Sequence, residues 1–88
     1  MTLKNYTYKY IFFEQMPRTG KTNIWHCKNK NSGDILGEIK WFPAWRQYCY
    51  FPANDTIYSR ECIEDIYTFI VMAMADWRET KKQEKEIN

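Results

Sequence analysis

The chain has 88 residues and a formal net charge of +2. That limits it to one domain with one modest core, since a chain this size buries about 60–65% of its unfolded surface. Aromatic residues make up 18% of the chain and hydrophobic residues 44%, which excludes disorder and leaves more rings than one small core hides.

The first predicted element is a strand over Tyr6–Phe12, where Tyr6, Tyr8, Tyr10 and Phe12 alternate with Thr7, Lys9 and Ile11. Pro17 and Gly20 break the chain, and a second strand follows at Asn23–Lys28. The polar run Asn29–Asp34 contains Gly33, which can take positive φ in a hairpin turn. Ile35–Phe42 is a third strand, with Ile35, Gly37, Ile39 and Trp41 on one face. After a turn at Pro43-Ala44, a fourth strand is predicted over Trp45–Phe51, with Trp45, Gln47, Cys49 and Phe51 on one side and Arg46, Tyr48 and Tyr50 on the other. Pro52 ends it, having no amide donor. Ser59 is placed to cap a helix whose first turn carries Glu61 and Glu64. Ile63, Ile66, Ile70, Ala73 and Trp77 form a helical stripe expected to cover the sheet. Tyr67, Val71 and Met74 form a second apolar strip, which predicts a homo-oligomer through the helix. The expected fold is therefore α+β: a four-stranded antiparallel meander (residues 1–58), one C-terminal helix (59–80) packed on a face, and a charged, frayed tail (81–88).

The charge is unevenly spread. Residues 1–30 carry Lys4, Lys9, Arg18, Lys21, Lys28 and Lys30 against Glu14 alone, residues 31–75 are net acidic, and the tail from Asp76 is balanced. A basic first third attracts phosphates, but the whole chain lacks the strong field of a dedicated DNA binder. The three cysteines, Cys27, Cys49 and Cys62, are not closely paired, and Met1–Tyr10 is too polar for a signal peptide. A reducing cytoplasm is the expected compartment. The longest apolar stretch, Phe69–Ala75, is too short to span a bilayer, so no membrane association is expected.

Gly20-Lys21-Thr22 resembles the end of a phosphate-binding loop, but Gln15 stands where its first glycine is required and a strand follows instead of a helix. His26 and Cys27 are adjacent on a strand and point to opposite faces, and no C-x-x-C is present, so neither a metal site nor a cofactor is expected. His26 is the sole histidine, and no Ser or Cys has a base fixed by local spacing, so catalysis is not expected. The informative cluster is Trp41, Trp45, Arg46, Tyr48 and Tyr50, with Lys40 beside it. Flat rings stack on a base and a guanidinium fork grips phosphate, which together is what a nucleotide asks of a protein. The competing reading puts Trp41 and Trp45 in the core, with Tyr48 paired across the sheet.

Leu36-Gly37-Glu38-Ile39-Lys40-Trp41, then Trp45-Arg46-Gln47-Tyr48-Cys49-Tyr50-Phe51-Pro52, then Cys62-Ile63-Glu64-Asp65-Ile66 resemble an uncharacterised family of small phage and mobile-element proteins. That family's pattern reads LG-x-IKW, WRQY-x-x-FP and C-(L/I)-x-x-I. The resemblance covers roughly residues 21–70 and implies a phage context, in which small proteins often bind and block host defence factors. The resulting expectation is a non-enzymatic protein that sequesters a nucleotide-like small molecule, such as a bacterial immune messenger. Arg46, Tyr48, Trp45 and Trp41 are its candidate ligand-binding residues, with Lys40 and Trp25 in support. A nucleic-acid-binding sheet and a protein–protein inhibitor are the alternatives.

Overall fold

The computed structural model describes residues 5–18 and 20–87; Lys4 of the basic first third and Asn88 of the tail lie outside them. Among the described residues five strands, not four, form one antiparallel sheet in sequence order: β1 (Asn5–Thr7), β2 (Ile11–Gln15), β3 (Trp25–Asn29), β4 (Ile35–Phe42) and β5 (Gln47–Pro52). The extra strand arises because the run expected as a single strand over Tyr6–Phe12 folds back on itself. The Tyr8 amide donates to the Ile11 carbonyl at 2.8 Å, and Tyr6 faces Phe13 across the new hairpin. This turn contains no Gly, Pro or Asn, so composition gives no warning of it. The inward parity also differs. Beyond the turn Ile11 and Phe13 point inward and are fully buried; Tyr8 packs against this core and Tyr6 meets Phe69 edge-on at 6.2 Å, whereas Tyr10 stays exposed.

The β3–β4 hairpin forms as its composition dictates. Gly33 has φ of 78°, and the Asn29 side-chain oxygen accepts the amides of Asn31 and Ser32 at 2.8 and 3.2 Å. The β4–β5 connection differs from expectation. Pro43–Arg46 make a four-residue turn in which the Phe42 carbonyl accepts the amides of Trp45 and Arg46, at 3.1 and 2.9 Å. The last strand therefore begins at Gln47 rather than Trp45, and Arg46 sits in the left-handed region at φ 52°.

Helix α1 (Arg60–Ile87) runs well past residue 80, where the sequence predicts its end. Ser59 caps it, its Oγ accepting the Cys62 amide at 3.2 Å. Its buried stripe is Ile66, Phe69 and Ala73, flanked by Cys62, Ile70, Met74 and Trp77. Two positions correct the expected stripe. Ile63 is 58% exposed, and Phe69, absent from that stripe, is fully buried. A planar ring fills the centre of the core better than a branched chain at its edge: Phe69 stacks on Phe13 at 4.2 Å and meets Trp25 edge-on at 5.1 Å. Met74 leaves the second strip to pack against the core, and its sulfur accepts the Tyr48 amide at 3.3 Å. Ile63, Tyr67 and Val71 remain exposed along the outer face.

The helix covers one face of the sheet, onto which Ile11, Phe13, Trp25, Cys27, Ile39 and Tyr48 converge. Beside them Tyr50 crosses Gly37 so closely that a Cβ there would lie 2.5 Å from its hydroxyl. That hydroxyl meets Tyr58 Oη at 2.7 Å, and Tyr58 donates to the Leu36 carbonyl at 2.5 Å. At about 1.5 Å per residue, 28 helical residues span roughly 42 Å, far more than a six-residue strand. The C-terminal turns thus project beyond β5, and they carry Arg78, Lys81 and Lys82. Among the described residues no helix is long and apolar enough to cross a membrane.

Candidate functional site

The six residues singled out in the sequence do not converge on one cavity. Trp25 and Tyr48 belong to the core, 1% and 3% exposed. Trp41 lies beside them, meeting Tyr48 edge-on at 5.3 Å and Trp77 at 4.7 Å. Lys40 is on the opposite, uncovered face, its ammonium 4.6 Å from the centre of the Phe51 ring. Trp45 is 67% exposed in the turn and packs on Phe42 at 4.9 Å. Of the six, Tyr48 lines one and Arg46 the other of two adjoining basic depressions against the overhanging helix, which share Trp77 and Lys81 and are described together as a cleft.

The inner part of this cleft has a volume of about 200 Å³. Its floor is the hydroxyl end of Tyr48, which accepts the Asn23 amide at 3.1 Å. Its walls are Arg18 and Lys21 from the β2–β3 loop and Asp76, Trp77, Thr80 and Lys81 from the helix. Arg18 is held in place by donating to the carbonyls of Gly20, at 2.9 Å, and Lys21. Burial pushes the Tyr48 phenol above its ordinary range, opposed by the Asn23 amide and the Arg18 charge and reinforced by Asp76. The phenol is therefore a neutral hydrogen-bonding group at physiological pH. A wider outer groove of about 530 Å³ shares Trp77 and Lys81 with the inner part and adds Arg46, Arg78 and Lys82. Among the described residues lining both, six are cationic and Asp76 is the one carboxylate. Trp77 lines both parts; its ring lies 4.7 Å from that of Trp41, and the Lys81 ammonium is 5.9 Å from its centre.

The uncovered sheet face has a different electrostatic character. Lys28 pairs with Glu14 at 2.6 Å, and Glu38 lies 3.3 Å from His26 and 3.7 Å from Lys40. The Lys28 hydrogen bond and charge hold the Glu14 carboxyl below its usual range. These pairings cancel the field that a phosphate backbone needs, although Phe42, Trp45 and Phe51 supply rings there.

Cys27 faces the core and His26 the opposite face, and Cys49 lies on the other side of the sheet from Cys27. Among the described residues no group of three or more His, Cys, Asp or Glu side chains is placed to hold a metal ion.

The sequence reading missed Arg18, Lys21, Trp77, Arg78, Lys81 and Lys82 as members of one site. Part of the signal was present: Trp77 is followed by cations at one, four and five residues, which helical spacing places near one another. The loop cations join them only through the tertiary fold. No protein-family model, curated protein or solved structure matches this chain.

Proposed function

We propose that this protein is a non-enzymatic binding protein that captures a nucleotide-like small molecule in the cleft around Trp77. The observation that carries the reading is the gathering of six cations around one aromatic plate and the Tyr48 hydroxyl. Phosphate is gripped by guanidinium and ammonium groups, the base has a ring to stack on, and the polar inner lining supplies hydrogen bonds that orient it. Arg46 and Tyr48 keep the roles expected of them, Trp41 acts by supporting Trp77, and Trp25, Trp45 and Lys40 drop out of the ligand set. The resemblance to phage and mobile-element proteins supports sequestration of a bacterial immune messenger in the host cytoplasm. The exposed strip of Ile63, Tyr67 and Val71 supports self-association through the helix.

The test is calorimetric titration with cyclic and ADP-ribose-derived nucleotides, together with mass spectrometry of small molecules released from protein purified out of a bacterial host. Binding near one site per chain that weakens as salt rises is expected. Failure of every nucleotide to bind at micromolar concentration overturns the proposal.

A second reading, binding of single-stranded nucleic acid, draws on the open form of the outer groove. It uses the cleft rather than the sheet, because the cations of the uncovered sheet face are paired with carboxylates.

A further inference from the structure

The cations of the cleft fall into two groups. Arg18 and Lys21 line the inner part, beside Tyr48 and Asn23. Arg46, Arg78 and Lys82 line the outer groove. Trp77 and Lys81 border both. The two groups also come from separate parts of the fold: the β2–β3 loop supplies the first, and the β4–β5 turn and the helix overhang supply the second. A single phosphate can sit against one group and leaves the like charges of the other uncompensated. The inner group is also positioned in advance, because two loop carbonyls fix the Arg18 guanidinium. Preorganised donors hold a fixed anion with little further ordering cost.

Resting on the reading of this cleft as a nucleotide site, we infer that its ligand carries phosphate at two positions with one planar ring between them. The recognised unit is phosphate–nucleoside–phosphate, with one phosphate at Arg18 and Lys21, the ring at Trp77, and the other phosphate at Arg46, Arg78 and Lys82. A nucleoside bisphosphate, a dinucleotide and an internal nucleotide of a single strand all contain it. A nucleoside with its phosphates at one end only does not. Asp76, the single carboxylate lining the inner part, lowers the net positive charge there, so the phosphate at Arg18 and Lys21 is the more weakly held of the two.

The experiment titrates the full chain with the four nucleoside 5′-monophosphates, the four 3′,5′-bisphosphates, the matching 5′-phosphorylated dinucleotides and mixed-sequence 12-nucleotide strands. At least one bisphosphate or dinucleotide is expected to bind ten or more times tighter than its monophosphate. Lys21→Gln and Arg78→Gln, each at an exposed position, are expected to remove most of that advantage without moving the melting temperature. Equal affinity for monophosphate and bisphosphate overturns the two-phosphate inference and leaves the nucleotide reading standing. Silence from every probe overturns both. The strands separate the sources of the shared unit: a strand that binds tenfold tighter than the dinucleotide identifies nucleic acid, and a strand no tighter identifies a free dinucleotide or bisphosphate.

Discussion

Replacing Arg46 by glycine separates a binding role from a structural one. Arg46 has φ of 52°, a region that costs an ordinary L-residue about 1–2 kcal/mol. Glycine relieves that cost but gains roughly 0.4–1 kcal/mol of unfolded-state entropy, so folding stability should rise by about 0–1.6 kcal/mol. For a domain of this size that is a melting temperature between unchanged and about 13 °C higher. Binding moves the other way. Losing a charge-assisted hydrogen bond to phosphate costs about 1.5–3 kcal/mol, or roughly 10- to 150-fold in Kd. Arg46→Asn, which also tolerates left-handed backbone, should behave alike. The assay pairs thermal denaturation with calorimetric titration of the tightest nucleotide found for the wild type. A melting temperature lowered by more than about 4 °C would mean that the guanidinium holds the fold together. Unchanged affinity would place Arg46 outside the site. Either result refutes the reasoning.

Gly37→Ala should destabilise the fold by about 1–3 kcal/mol, because the new methyl would lie 2.5 Å from Tyr50 Oη and 2.7 Å from the Phe51 carbonyl; an unchanged denaturation midpoint would contradict this. The wild type should scatter light as a species larger than 10.8 kDa at micromolar concentration, and Tyr67→Glu with Val71→Glu should return it to a monomer; a wild-type monomer would remove the self-association proposal. Burial pushes the Cys27 thiol up to about 11, so the native state keeps its proton where the unfolded chain loses it. The stability this contributes is full below about pH 9 and falls as pH rises toward 11. Correspondingly, a maleimide at pH 8 should label Cys49 and Cys62 well before Cys27, which peptide mass spectrometry reads directly.

Local chemistry made much of the fold legible. The Ser59 cap, the Gly33 hairpin and the eight residues of β4 each rest on short-range signals, and each stands where the sequence places it. The departures come from tertiary competition. Tyr8-Lys9-Tyr10 reads as strand by alternation, yet folding back there brings Ile11 into the core and Phe13 onto Phe69. Trp45 and Arg46 read as strand for the same reason, but Pro43 starts a turn that does not close until Arg46. Phe69 was hidden in a run of seven apolar residues, where periodicity does not distinguish the inward side. The cleft was the least legible feature. Its cations lie in three segments far apart in the chain, and the loop pair meets the three helix cations only once the helix has docked on the sheet.

The bond from the Tyr48 amide to the Met74 sulfur also governs how the sheet ends. As the last strand, β5 has one side without a neighbouring strand among the described residues, and such a margin ordinarily invites another chain to add on. Here Met74 occupies the Tyr48 amide, and Pro52 has none to offer. The helix that builds the cleft thus also takes up one of the donors on which a further strand would add at β5. Oxidation of Met74 to the sulfoxide would put a polar, bulkier group where a soft thioether packs. That single lesion would then disturb the packing around Tyr48, which lines the cleft, and release a donor at the β5 margin together.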